Sequence, residues 1–204
     1  MFEPADKAIA KAVEIFGNNA GIMRTSKALE LGIQARTLYS MRDQGLLERL
    51  SRGVYHLASL PLPQQPDVAA VMQRIPNAVL CLVSALDFHE IGTQIPAEIQ
   101  VALPHDTKAP RIDYPRIKVF HMSSASLRAG LEQHDMGGTV INVFGVAKTI
   151  ADCFKYRGQI GQDIAIEALQ EVIRGGRASA ADIMRFAAID RVTNIIRPYL
   201  EVLQ

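Results

Sequence analysis

Apolar positions at helical spacing open the chain. Ile9, Val13 and Phe16 recur every three or four residues after Pro4, and Gly17-Asn18-Asn19 ends the pattern, which predicts a helix over 4–16. Between Thr25 and Ala58 the period changes several times within a short span. The segment from Thr25 to Leu31 reads as a short helix, with Ala28 and Leu31 on one face and a hydroxyl cap from Thr25 or Ser26. Gly32 then supplies the left-handed residue that ends a helix cheaply. A second helix follows Ile33, with Leu38 and Met41 inward, Ala35 beside Leu38, and Gly45 as its stop. Leu46, Leu47 and Leu50 alternate loosely with Glu48 and Arg49, Ser51-Arg52-Gly53 makes a turn, and Val54-Tyr55-His56-Leu57 is a second strand-forming run. Helix, turn, helix and hairpin in that order make a winged helix-turn-helix, whose second helix ordinarily lies in the major groove of DNA.

The polar positions of this segment fit that use. Gln34, Arg36, Thr37, Ser40 and Gln44 fall mostly on the outer side of the second helix. Arginine can hold guanine bidentately, glutamine can hold adenine, and serine or threonine can reach a base edge or a phosphate. Arg49 and Arg52 flank the wing turn, within reach of phosphate or minor groove. The candidate DNA-binding residues are therefore Thr25, Ser26, Lys27, Gln34, Arg36, Thr37, Ser40, Arg42, Arg49 and Arg52, with Arg36, Thr37 and Ser40 nearest the bases. Tyr55 is expected to pack in the hairpin rather than stack on a base.

Beyond the wing, Pro61-Leu62-Pro63-Gln64-Gln65-Pro66 interrupts both helix and sheet and predicts a linker over 61–66. It would separate a winged-helix domain (1–60) from a second domain (67–204). That second part mixes periods. Helices are expected at Val68–Arg74, at Ser84–Glu90 with Ser84 as cap, at Ala147–Lys155, Gln162–Arg174, Ser179–Ala188 and Val192–Leu203. Strands are expected at Ala78–Val83, Glu98–Leu103, Ile117–His121 and Thr139–Phe144, with Ile99, Val101 and Leu103 sharing a face. Gly137-Gly138 and Gly175-Gly176 read as turns. Interspersed strands and a helical end give an α+β class: a winged helix followed by a mixed α/β domain.

Composition changes this picture little. The chain has 204 residues, 49% hydrophobic and 21% charged, ordinary for a globular protein with room for two domains. The first 60 residues carry eight Lys/Arg against six Asp/Glu, a net +2, within a whole-chain charge of +1. So weak a basic bias does not suit non-specific polyanion binding and implies modest affinity per copy, with two or more copies on DNA. Cys81 and Cys153 lie in apolar stretches and are expected to be buried free thiols of a cytoplasmic protein. No apolar run reaches membrane-spanning length, so no membrane association is expected.

The run from Thr25 to Gly32, Arg36-Thr37-Leu38, Gly45-Leu46-Leu47 and above all Arg52-Gly53-Val54-Tyr55 resembles the AbiEi antitoxins, the repressor-antitoxins of bacterial type IV toxin–antitoxin pairs. Looser similarity continues through Val83-Ser84-Ala85-Leu86 with His89, Glu98 to Ala102, and Val143-Phe144 followed by Lys148-Thr149-Ile150-Ala151-Asp152. Gln34 departs from the pattern, since a Ser-like helix cap is common there. The resemblance implies a winged helix with a C-terminal α/β domain and binding to repeats in the protein's own promoter. It also implies operon repression and neutralisation of a nucleotidyltransferase-like toxin, without need of a stable complex.

The chemistry-bearing residues do not assemble into an enzyme. His56, His89, His105, His121 and His134 are scattered, and no HxH, HExxH or CxxC spacing occurs, so neither metal nor cofactor is expected. Ser84, Asp87 and His89 include the residue types of a triad but lack the nucleophile elbow. Asp113, between Arg111 and Arg116, has no second carboxylate on a strand to share Mg²⁺. Asp152 suits a structural hydrogen bond within its helix. Two other classes remain open: a winged-helix regulator with a ligand-sensing C-terminal domain, and a nuclease targeted by its winged helix.

Overall fold

The computed structural model describes residues 4–19, 21–62, 65–108, 110–136 and 139–203. The expected positions of Pro63, Gln64 and the Gly137-Gly138 turn lie outside them. Contacts divide the chain into two compact units.

The first unit spans residues 1–76 and includes residues 111–115 and 134–141. It begins with α1 (Pro4–Asn18), β1 (Ile22–Arg24), α2 (Thr25–Glu30) and α3 (Ala35–Asp43), followed by β2 (Leu47–Ser51), β3 (Val54–Leu57) and α4 (Pro66–Arg74). Gly32 and Gly45 close α2 and α3 with positive φ, as their placement predicts. β1 was not legible as a strand. It adds to the hairpin to give a three-stranded antiparallel sheet in the order β1-β3-β2. Strand alternation then sorts the side chains onto two faces. Met23, Leu47, Tyr55 and Leu57 join Phe16, Ala28, Leu38 and Met41 in the helix-side core. Ile22, Leu50 and Val54 point the other way and meet Ala69 and Ala70 of α4. The compact unit therefore extends past residues 61–66, because α4 buries its own apolar face here.

The second unit opens with β4 (Val79–Leu80), α5 (Leu82–Phe88), β5 (Ile99–Pro104), β6 (Ile117–Met122) and α6 (Ser124–Arg128). In chain order β7 (Leu131–Met136) and β8 (Thr139–Phe144) follow, of which residues 131–133 and 142–144 fall in this unit, then α7 (Val146–Lys155), α8 (Arg157–Ile160), α9 (Gln162–Arg174), α10 (Ala180–Asp190) and α11 (Thr193–Leu203). The sheet is five-stranded and mixed, in the order β6-β5-β4-β8-β7. β4 runs antiparallel to β5 and parallel to β8, and β5 runs parallel to β6. α7 is its central helix: Ile150, Ala151, Cys153 and Phe154 are wholly buried among residues from α5, α9, α10 and α11.

Two expectations are corrected here. The apolar run Ala78–Val83 is a strand only at Val79–Leu80, after which Leu82 takes a positive φ and starts α5. Burial accepts a short apolar run as either strand or helix, so its pattern could not decide. Ser84 is not the cap of that helix. Cys81 holds the cap position, and the Ser84 hydroxyl instead accepts the Gln100 N–H at 2.8 Å while Gln100 Oε1 accepts the Val83 N–H at 2.9 Å. The two bonds tie α5 to β5.

Candidate nucleic-acid interface

α3 is set by what it buries. Leu38 and Met41 face the core and are almost fully enclosed, which turns Gln34, Arg36, Tyr39 and Arg42 outward. The helix starts at Gln34 without a side-chain cap, consistent with the departure from Ser there. Thr37 corrects the expected face: it is buried, with 8% of its surface exposed, and has little area left for a base edge. At one residue before Leu38 it falls on the flank of the core stripe rather than opposite it. Ala35, expected beside Leu38, is exposed.

Among the described residues, Arg36 and Arg52 have exposed guanidinium groups with no hydrogen-bond or ion-pair partner. The other candidate cations are partly committed. Arg42 donates twice to Asp43 Oδ1, at 2.9 and 2.7 Å, and lies over the Tyr39 ring at 5.3 Å. Lys27 pairs loosely with Glu30 at 3.7 Å, and Arg49 Nε donates to the Ser51 carbonyl at 3.3 Å. Gln44 donates to the Ser40 hydroxyl at 2.8 Å, which leaves that hydroxyl's own proton available. Tyr39, 48% exposed, was missed in the sequence. The signal was its place on the side of Leu38 away from Met41, whereas Thr37 lies one turn before Met41.

Thr25 is also corrected. α2 is capped at Arg24 without a side-chain bond, and both the N–H and the hydroxyl of Thr25 donate to the Gly53 carbonyl, at 2.9 and 3.4 Å. The first helix of the motif is thereby stitched to the tip of the wing. Ser26 remains exposed on α2. Tyr55 is buried in the hairpin core, as expected.

Residues 11–58 match the family described as transcriptional regulator, AbiEi antitoxin. This segment is similar to the AbiEi regulator family. The AbiEi match covers α1 from Lys11 through the end of the wing, and so contains every candidate DNA-binding residue of the chain. No curated protein matches the chain in sequence. Among solved structures, the RV2827C protein from Mycobacterium tuberculosis is similar with a TM-score of 0.55 and 14% identity, over 89% of this chain and 71% of that one. At that identity the likeness concerns fold alone.

In the second unit, the triad-type residues serve separate structural bonds. Ser84 is engaged by Gln100, and His89 Nε2 donates to the Phe144 carbonyl at 2.8 Å. Gly175-Gly176 closes α9, with Gly176 at positive φ. No group of three or more His, Cys, Asp or Glu that could hold a metal ion occurs among the described residues. No helix among them is long and apolar enough to cross a membrane. Cys81 and Cys153 are buried free thiols, and burial raises the pKa of both.

Asp152 belongs to a buried ionic cluster. Lys148 Nζ donates to Asp152 Oδ1 one helical turn on, and to Asp190 Oδ2 at 3.0 Å. Asp190 Oδ1 also accepts from Lys155 at 3.1 Å and from the Ser126 hydroxyl at 3.1 Å. Asp152 Oδ2 accepts from nothing among the described residues. The two carboxyls consequently diverge. Burial, only partly offset by Lys148, raises Asp152 to about 7. Burial also pushes Asp190 upward, but Lys148 and Lys155 outweigh it and hold its pKa below the ordinary value.

Proposed function

We propose that α3 enters the major groove of DNA upstream of this protein's own gene, with Arg36, Gln34 and Ser40 nearest the bases. Arg49 and Arg52 of the wing, with Lys27 and Arg42, then meet phosphate or the minor groove. The observation that carries this reading is the pair of uncommitted guanidiniums, Arg36 on α3 and Arg52 on the wing, within the segment similar to the AbiEi regulator family. The net charge of +2 over the first 60 residues supports binding as several copies on repeated sites. Bound there, the protein represses its operon.

A mobility-shift titration on the upstream DNA tests this directly. Arg36→Ala is expected to cost about 1–3 kcal/mol on the specific site and much less on random DNA. Arg52→Ala should weaken both alike and lower the salt slope by about one. Equal losses on both DNAs for Arg36→Ala would remove it from base reading.

The family further supports an antitoxin role against a nucleotidyltransferase-like toxin, which we place in the second unit because its size exceeds what DNA binding needs. The full-length Arg36→Ala/Arg52→Ala double variant separates the two roles. It should lose operator binding yet still restore growth to cells expressing the toxin. Failure to restore growth, with the variant folded and expressed, would tie neutralisation to DNA binding instead.

A further inference from the structure

The family match ends at residue 58, yet the wing tip is held by a residue well beyond it. The turn Arg52-Gly53 joins β2 to β3, with Gly53 at φ +76°. Both carbonyls of this turn are engaged from outside the hairpin. The Gly53 carbonyl accepts from Thr25 at the start of α2. The Arg52 carbonyl accepts from Arg74 Nη1, in the last turn of α4, at 2.9 Å. Arg74 is itself fixed, because Ala69 and Ala70 seat α4 on Ile22, Leu50 and Val54 across the back of the wing sheet. The turn itself is the exposed part of a hairpin whose second strand is buried. Here it is braced on one side by the helix-turn-helix and on the other by α4.

We propose that α4 is a working part of the DNA-binding module and that Arg74 is a positioning residue that presets the wing. By holding the Arg52 backbone, Arg74 fixes the direction in which the Arg52 side chain leaves the turn before DNA arrives. Ordering lost before binding is not lost again on binding, so affinity rises without a new contact. A cation at this place also adds to the positive field at the wing tip, and the experiment must separate these roles.

The test uses full-length protein carrying Arg74→Met, Arg52→Gln or both. Arg74→Met should weaken binding to the upstream DNA ~3- to 10-fold, the scale of one typical intramolecular hydrogen bond. The double variant should bind within ~2-fold of Arg52→Gln alone, since residues acting through one another are not additive. In DNA-free protein, Arg74→Met should speed amide hydrogen exchange in the wing turn, while the rest of the sheet exchanges as in the wild type. Additive losses, each with its own fall in salt slope, would make Arg74 an independent phosphate contact and overturn the proposal. Unchanged exchange at the turn would also overturn it. Arg74→Gln, which is too short to reach the carbonyl, should repeat the pattern if the methionine variant does not fold. The DNA measurements rest on the DNA-binding reading above; the exchange measurement does not. Absence of a wild-type shift would therefore count against that reading alone.

Discussion

Replacing Lys148 by methionine is expected to destabilise the protein by about 3–5 kcal/mol, the usual cost of removing one partner from a buried charge cluster. Lys148 is wholly buried and is the shared partner of Asp152 and Asp190. Its ammonium also lies over the Phe144 ring at 4.8 Å. Without it, Asp190 keeps Lys155 and Ser126, but neither Asp152 oxygen retains a hydrogen bond among the described residues. The methionine matches the lysine stem in volume, so the loss measured by chemical denaturation reports charge rather than a cavity. Replacing Asp152 by leucine in the same protein should recover more than half of it, because the orphaned group is gone. A loss of under about 1 kcal/mol in the single variant would show that water reaches the cluster.

The same cluster sets a pH dependence. Asp152 titrates at about 7 in the folded protein, against an ordinary value of 3.8. Folding therefore favours the protonated carboxyl, and its contribution to stability is full below the ordinary value and lost as pH rises from about 4 through 7. Asp190, held below its ordinary value, contributes the opposite way, with stability lost as pH falls into the acid range. Asp152→Asn should flatten the change between pH 5 and 8 in denaturation measured across that range. An unchanged slope would place the titration elsewhere.

Replacing Phe16 by alanine should have a comparable effect on the first unit, about 3–5 kcal/mol. Phe16 is fully buried among Ala12, Met23, Leu38 and Met41, and its carbonyl accepts from both Asn19 and Gly21 at the end of α1. The cavity would open directly behind α3. A small unit has few other buried contacts to compensate, so binding to upstream DNA should weaken at raised temperature before it weakens in the cold. Calorimetric unfolding and mobility shifts at two temperatures check this. A variant with wild-type melting behaviour would mean that Leu38 and Met41 collapse to fill the space.

The winged helix was legible because its signals are local. Gly32, Gly45 and Gly53 stand at turns that need positive φ, and Leu38 and Met41 set the face of α3 by spacing alone. α9 was also legible to its ends, since Gln162–Arg174 carries a long amphipathic stripe between glycines. β1 was not, because three residues carry no period and become a strand only by pairing with β3. β7 escaped for the opposite reason. Leu-Glu-Gln-His-Asp-Met is polar and largely exposed at the sheet edge, so no burial pattern marks it.

The sequence by itself determined the helix-turn-helix and hairpin order of the first unit and the outward residues Arg36 and Arg52. Each depends on neighbours within one or two turns of the chain. Only the tertiary structure decided that Thr25 serves the wing, that Thr37 is buried, that Asp190 completes the ionic cluster 42 residues from Lys148, and that Arg74 holds the Arg52 carbonyl. These depend on which surfaces meet when helices pack on sheets, and residue spacing carries no record of that.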